Sequence, residues 1–271
     1  MRIKKILVGF AAAGGILAAG SAAAFPLFGV DANGIQSGDA GTLNPFTADK
    51  IIGNYFEVIT FTSATNFNVQ LLWDAAQFAN TITAVTYTSG QTGLGTNYGL
   101  YALFNGSGTY STSGGTTTFT LTPGATLKAY YDNSNDTLSN GYPANATTPW
   151  SLSNTGDDIQ IASGVATDGS GTLTCGTGNN CGSFGQTTTF ALMNGGANYF
   201  YLPNPFYDFS LQNGQFNGFT PTIGATQDLN GSADVEFVSV PEPSVLALVG
   251  LGLLGMGAMR RKRPKDLSKT A

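Results

Sequence analysis

The side chains able to do chemistry in this chain are mostly carboxylates. Asp132, Ser134 and Asp136 alternate as oxygen ligands do at the opening of a calcium loop, and Asp157-Asp158 makes a second acidic point. Such loops hold hard cations through carboxylate, carbonyl and hydroxyl oxygens. The match to an EF-hand stops at the opening: Thr137 stands where that loop needs glycine, and Pro143 where it needs glutamate. Two readings stay open. One of the loops carrying Asp132, Asp136, Asp157 and Asp158 binds calcium, or these residues cap solvated turns. Carboxylate pairs also suffice for glycoside hydrolysis. Glu57, Asp74, Asp157, Asp158 and Glu236 are its conceivable members, and sequence alone does not fix the separation of any two. Glu57 is expected on the polar face of its strand.

Other chemistries are removed by composition. The 271 residues include no histidine, which excludes Ser-His-Asp and Cys-His nucleophiles, His-ligated zinc and haem, and imidazole switches. The expectation is a protein that is not an enzyme and takes no cofactor, calcium being the one candidate ion. Cys175 and Cys181 enclose Gly-Thr-Gly-Asn-Asn. In an oxidising destination they predict a disulfide, worth about 2–2.5 kcal/mol for so short a loop. A redox or metal pair is the alternative, without a C-x-x-C or a third ligand to favour it.

The elements that must position these residues read as β. Tyr55, Glu57, Ile59 and Phe61 alternate with Phe56, Val58, Thr60 and Thr62, the period of a strand with one buried face. Residues 67–73, 81–88, 98–104, 116–122, 125–131, 157–162, 187–193 and 233–238 are similarly rich in Thr, Tyr, Phe and Val. Residues 73–79 suggest a short helix, and residues 111–115 and 133–146 polar loops. Asn-Gly pairs begin at Asn33, Asn105, Asn140, Asn194, Asn213, Asn217 and Asn230, each a candidate hairpin turn. The predicted fold is all-β, an antiparallel β-sandwich or jelly-roll-like single domain over residues 25–239. No fixed-period repeat points to a solenoid.

Both ends read as addresses. Arg2, Lys4 and Lys5 precede an apolar run and a small-residue site, a signal peptide over residues 1–24 with cleavage between Ala24 and Phe25. At the other end an apolar, glycine-interrupted run reaches Met259, and Arg260, Arg261, Lys262 and Arg263 follow. Its 16 residues from Ser244 make a helix of about 24 Å, which basic side chains and local thinning fit to a bilayer core of about 30 Å. The basic cluster would keep residues 264–271 as a short cytoplasmic tail. Between the addresses the basic residues are Lys50 and Lys128, against fourteen acids, a net charge of −12 where the whole chain has −5. A surface so poor in cations excludes a nucleic-acid partner.

Val240-Pro241-Glu242-Pro243, a short glycine-rich apolar helix and a tight Arg/Lys cluster, in that order, resemble the PEP-CTERM sorting signal of Gram-negative bacteria. The resemblance implies signal peptidase and then an exosortase as processing partners, with Pro241, Glu242 and Pro243 as the recognised residues. It implies a transient inner-membrane intermediate, then release or transfer into extracellular matrix or onto the cell surface. A plain anchor whose Pro-Glu-Pro only stops a helix is the alternative. The body has its own resemblance. Residues 48–57, Tyr98-Gly99-Leu100-Tyr101, Asp157-Asp158 with Ala162-Ser163-Gly164, the cysteines with Gly182-Ser183-Phe184, and Gly231-Ser232-Ala233-Asp234-Val235 are similar, in order, to the PepA family of flocculation-associated PEP-CTERM proteins. That family implies cell aggregation through extracellular polysaccharide and no catalytic residues. The expected function is therefore an exosortase-sorted matrix protein promoting flocculation. A carbohydrate-active hydrolase and a cation-dependent surface adhesin are the alternatives.

Overall fold

The computed structural model describes residues 25–35 and 43–239. Sixteen strands follow one another among them: β1 (Phe28–Val30), β2 (Phe46–Ala48), β3 (Lys50–Phe61), β4 (Asn66–Asn80), β5 (Val85–Thr86), β6 (Gly99–Ser113), β7 (Thr116–Leu121), β8 (Thr126–Asp132), β9 (Leu138–Ser139), β10 (Leu152–Ser153), β11 (Ile159–Leu173), β12 (Gly182–Thr189), β13 (Ala191–Leu192), β14 (Phe200–Leu202), β15 (Phe209–Phe216) and β16 (Thr226–Val238). Two single-turn helices, α1 (Ser89–Thr92) and α2 (Gly196–Tyr199), lie in connections.

The all-β antiparallel class is as the sequence implies, and the path of the sheet is more specific. Neighbours run β4-β3-β16-β15-β12-β11, then β7 and β8, then β6, and β6 pairs back onto β4. β7 and β8 share one position, lying along successive halves of β6 and β11. The result is an eight-position up-and-down barrel, the size at which side chains fill the interior. The two faces of a sandwich become one continuous wall.

Register decides which face each residue takes. Tyr55 lies opposite Trp73 and Gly231, and Trp73 opposite Ala102. Directly paired residues share a face, so these positions point inward together. Phe67, Val69, Leu71, Leu100, Phe104, Leu127, Phe184 and Phe216 join them in the interior. Asn54, Asn105, Ser107, Thr109, Thr118, Ser183, Asn213, Asp228 and Asn230 alternate onto the exposed outer wall. Apolar inside and polar outside is the reverse of a lipid-facing barrel.

One end of the barrel is closed by β1, paired with β2 and β14. Phe28 is fully buried and packs edge-on to Phe237 at 5.0 Å and Phe200 at 5.9 Å. Beside it, Tyr98 stacks on Tyr131 at 4.7 Å and shares a 2.9 Å hydroxyl contact with Tyr199. The opposite end holds Phe61, Tyr110, Phe119, Phe216 and Phe219.

Several local expectations give way to this pairing. Residues 73–79 are strand, not helix. β4 runs unbroken between β3 and β6 to Asp74 and stays paired with β3 to Ala79, and Ala76 is accommodated as a bulge. Cross-strand bonding overrides the helical preference of Ala and Gln. β6 extends to Ser113, so the loop expected over 111–115 contracts to a turn at Gly114-Gly115, with φ of 58° and 83°. That pair, and not Asn-Gly, makes the β6–β7 hairpin. Asn105, Asn213 and Asn230 lie within strands. Their glycines leave room for interior groups: a Cβ on Gly231 would come 2.8 Å from the Tyr55 ring, and one on Gly214 2.5 Å from that of Phe184. Residues 81–88 contribute only the two residues of β5, and β15 was not anticipated.

The Cys175–Cys181 disulfide forms, with Cα atoms 5.1 Å apart, and closes the β11–β12 loop.

Glu57 corrects its own expectation. It pairs with Leu71 and Leu229 and points into the barrel, only 5 % exposed. Burial pushes its carboxyl from 4.5 up to about 8. Between those values the folded chain keeps a proton that the unfolded chain has lost. The contribution of Glu57 to stability is therefore full below about pH 4.5 and falls by up to about 1.4 kcal/mol per pH unit towards pH 8. Glu57→Gln removes this slope. Urea unfolding should find the variant more stable than the parent at about pH 8, with the difference shrinking towards about pH 5.

Candidate functional site

Asp132, at the end of β8, turns the chain into an Asx turn: its carboxylate accepts from the amides of Ser134 (3.2 Å) and Thr137 (2.9 Å). Asp157 ends a 3-10 turn over Thr155–Asp157, and Asp158 leads into β11. Because β8 pairs with the start of β11, these two segments meet. One carboxylate oxygen from each of Asp132, Asp157 and Asp158 lies within 4.8 Å of the others. Asp136 does not join them; its carbonyl accepts from Asn154 Nδ2 at 2.9 Å. The two loops that the sequence offers as alternatives thus meet, Asp132 of one beside Asp157 and Asp158 of the other, with Asp136 left out.

The cluster is held by neutral donors. Ser134 Oγ donates to Asp157 (2.6 Å), Tyr101 Oη to Asp158 (2.6 Å), and Thr137 Oγ1 to both oxygens of Asp158 (2.9 and 3.0 Å). Burial raises the Asp158 carboxyl, the Tyr101 and Thr137 bonds oppose this, and Asp132 and Asp157 add to it. Burial, then the charge of Asp132, also raises Asp74, though its exposure to solvent screens the effect. Lys50, one of the two cations in the described residues, is engaged elsewhere, bridging Asp234 at 3.0 Å and Glu236 at 3.1 Å. Three oxygen donors converging without a basic partner suit a hard cation such as calcium. Asp132, Asp157 and Asp158, with the hydroxyl of Ser134, would hold it.

Beside the cluster an outer-wall pocket of about 260 Å³ is lined by Asn54, Phe56, Asp74, Tyr101, Asp132 and Asn135, among others. It falls just below the range of small-molecule sites, about 300–1,000 Å³. Carboxylates and amides around aromatic rings are groups that hydrogen-bond and stack on a sugar. Phe56 continues into an outward aromatic row, 6.1 Å from Tyr142, which is 5.9 Å from Trp150. Phe56 and Tyr142 are over a third exposed, and the indole Nε1 of Trp150 has no hydrogen-bond acceptor.

Trp150 and the tandem aromatics are the candidates that the sequence offers for stacking on sugar rings; Phe56 and Tyr142 are not among them. Phe56 was legible, since it alternates out of phase with Tyr55. Of the tandem aromatics, Tyr130-Tyr131, Tyr199-Phe200-Tyr201 and Phe206-Tyr207, the residues Tyr131, Tyr199, Phe200 and Tyr207 are core, and Tyr130, Tyr201 and Phe206 are half-buried. The carboxylates considered for hydrolysis are dispersed. Glu57 is inside the barrel, Asp74 and the Asp157-Asp158 pair are on the outer wall, and Glu236 is bonded to Lys50.

The expected signal-peptide site at Ala24 and the sorting residues Pro241, Glu242, Pro243, Arg260, Arg261, Lys262 and Arg263 lie outside the described residues, as does the expected C-terminal helix; Phe25 begins the described chain. No helix among the described residues is long and apolar enough to cross a membrane. Residues 239–263 match the profile of the PEP-CTERM protein-sorting motif. The match implies processing by an exosortase and export to the cell envelope or surface. No curated protein and no solved structure matches the chain.

If the three-carboxylate cluster holds calcium, millimolar calcium should raise the melting temperature and a chelator should reverse the rise. Asp157→Asn with Asp158→Asn should abolish the response, as read by differential scanning calorimetry.

Proposed function

We propose that the protein is an extracellular-matrix component that holds cells together by binding exopolysaccharide, after signal peptidase and an exosortase have processed its two ends. The observation that carries this reading is the sorting motif beginning at residue 239, one residue after β16 ends at Val238. A barrel followed at once by such a tail has no other domain between the address and the body. The first and last strands support the same reading. Phe28 of β1 packs on Phe237 of β16, so the first and last described strands meet at one end of the barrel.

The wall suits a polysaccharide partner. Its Asn, Thr, Ser and Asp side chains offer dense hydrogen bonding, and the Phe56–Tyr142–Trp150 row offers ring faces. With a net charge of −12 the body repels anionic polymers unless a divalent ion bridges them. The acidic cluster therefore favours cation-dependent adhesion as part of the same function. Resemblance to the PepA family points the same way, towards flocculation. A hydrolase reading draws less support, because its candidate carboxylates do not share one cleft.

Replacing Pro241-Glu242-Pro243 by alanines should trap the protein in the membrane fraction, as read by fractionation and intact mass; unchanged release would overturn the sorting step. Tyr142→Ala with Trp150→Ala should leave the melting temperature within a few degrees of the parent. It should lower retention on exopolysaccharide purified from the same cells by about five- to tenfold, the loss of roughly 1–1.5 kcal/mol that two stacking contacts supply.

A further inference from the structure

The barrel's own architecture does not account for Glu57. Its carboxyl is on the inner wall, flanked by Leu71 and Leu229, and accepts no hydrogen bond among the described residues. It faces an interior cavity of about 60 Å³ that is also walled by Phe67, Phe104, Phe119, Phe184 and Phe216. A second interior cavity, of about 50 Å³, adjoins it, and Leu71, Phe104, Phe184 and Gln186 line both. In that second space Gln212 presents another unmet acceptor. Its Nε2 donates to Ser210 Oγ at 2.6 Å and Thr188 Oγ1 at 3.2 Å, while its buried Oε1 has no donor.

A buried carboxylate needs a counter-charge, and ring faces attract cations. Gln212 Oε1 is an unmet acceptor, and Glu57 becomes one on giving up its proton, so the complementary ligand is a cationic donor. Size narrows it further. At about 10–15 Å³ per water-sized occupant, the two spaces admit a handful of non-hydrogen atoms and exclude a sugar. We propose that the barrel interior is a binding site for a small alkylammonium ion. Its charged head sits between Glu57 and the phenylalanine rings, and its short tail extends into the adjoining cavity towards Gln212. This goes beyond the polysaccharide reading, which concerns the outer wall.

Charge balance makes the site distinctive. Glu57 is protonated in the free barrel at neutral pH, its carboxyl lying at about 8. Entry of an alkylammonium ion breaks the carboxyl O–H bond, sends that proton to solvent and leaves the carboxylate paired with the ammonium. Tyr55 is the titratable group coupled to Glu57 by charge, and its hydroxyl donates to the Gln215 carbonyl on β15. None of the other residues lining the Glu57 cavity is titratable.

The test uses the full chain with ethylammonium chloride against sodium chloride at equal ionic strength, near neutral pH. The melting temperature should rise with ethylammonium concentration in the parent and not in Glu57→Gln. Calorimetry in two buffers of different ionisation enthalpy should find close to one proton released per ion bound. Equal melting in both salts, or the same rise in Glu57→Gln, would overturn the proposal. So would an equal response to a bulky tetrabutylammonium ion, which would place binding on the surface. If the variant fails to fold, the Glu57 carboxyl carbon can be followed by NMR in the parent. A move to the ionised position on adding ethylammonium supports the site, and an unmoved resonance rejects it.

Discussion

Pairing of β4 with β6, from Asn66 opposite Thr109 to Asp74 opposite Tyr101, is the contact on which everything else rests. It turns a meander with two edges into a wall with none, and fixes the interior volume. Eight strand positions leave a bore that side chains must fill. The chain fills it with rings set against glycines: Trp73 against Gly53, Tyr55 against Gly231, Phe184 against Gly214, Phe216 against Gly171. Each pairing lets a large side chain cross the bore without an opposing Cβ, the sheet counterpart of aromatic side chains covering strand glycines. This is why glycine is so frequent in strands that ought to avoid it.

A filled bore pushes polar chemistry outward. The strand alternation that buries Phe67, Val69, Leu71 and Trp73 exposes Asn66 and Asp74 and sends Tyr101, Asp132 and Asp158 to one rim. There the antiparallel pairing of β8 and β11 brings together acids that are 25 residues or more apart in the chain. With so few cations in the exported body, these charges are balanced by hydroxyls and backbone amides or by ions from solution. Glu57 is the exception, an acid retained on the inside at a cost in stability above its ordinary range.

Closure also links the two ends of the described chain. β16 pairs with both β3 and β15, and Phe237 near its end packs on Phe28 near the start of the exported body. Phe28 and Phe237, near the two ends of the described chain, therefore come together only when the barrel is complete.

Local residue chemistry was enough to read the sorting motif, the disulfide, the β class and the acidic body. Each depends on residue type and near-neighbour spacing: a basic cluster after an apolar run, two cysteines after an export signal, period-two alternation. Even the inward side of Glu57 was written in its phase with Tyr55, Ile59 and Phe61, although charge argued for the other face. Tertiary structure decided what spacing cannot encode. Whether Asn105-Gly106 turns or continues depends on β4 lying alongside to take its hydrogen bonds. Whether residues 73–79 coil or extend depends on strands β3 and β6, and whether Asp132 meets Asp158 depends on the register of β8 with β11. These are pairings between distant segments, fixed by the volume the barrel encloses, and no local preference carries that volume.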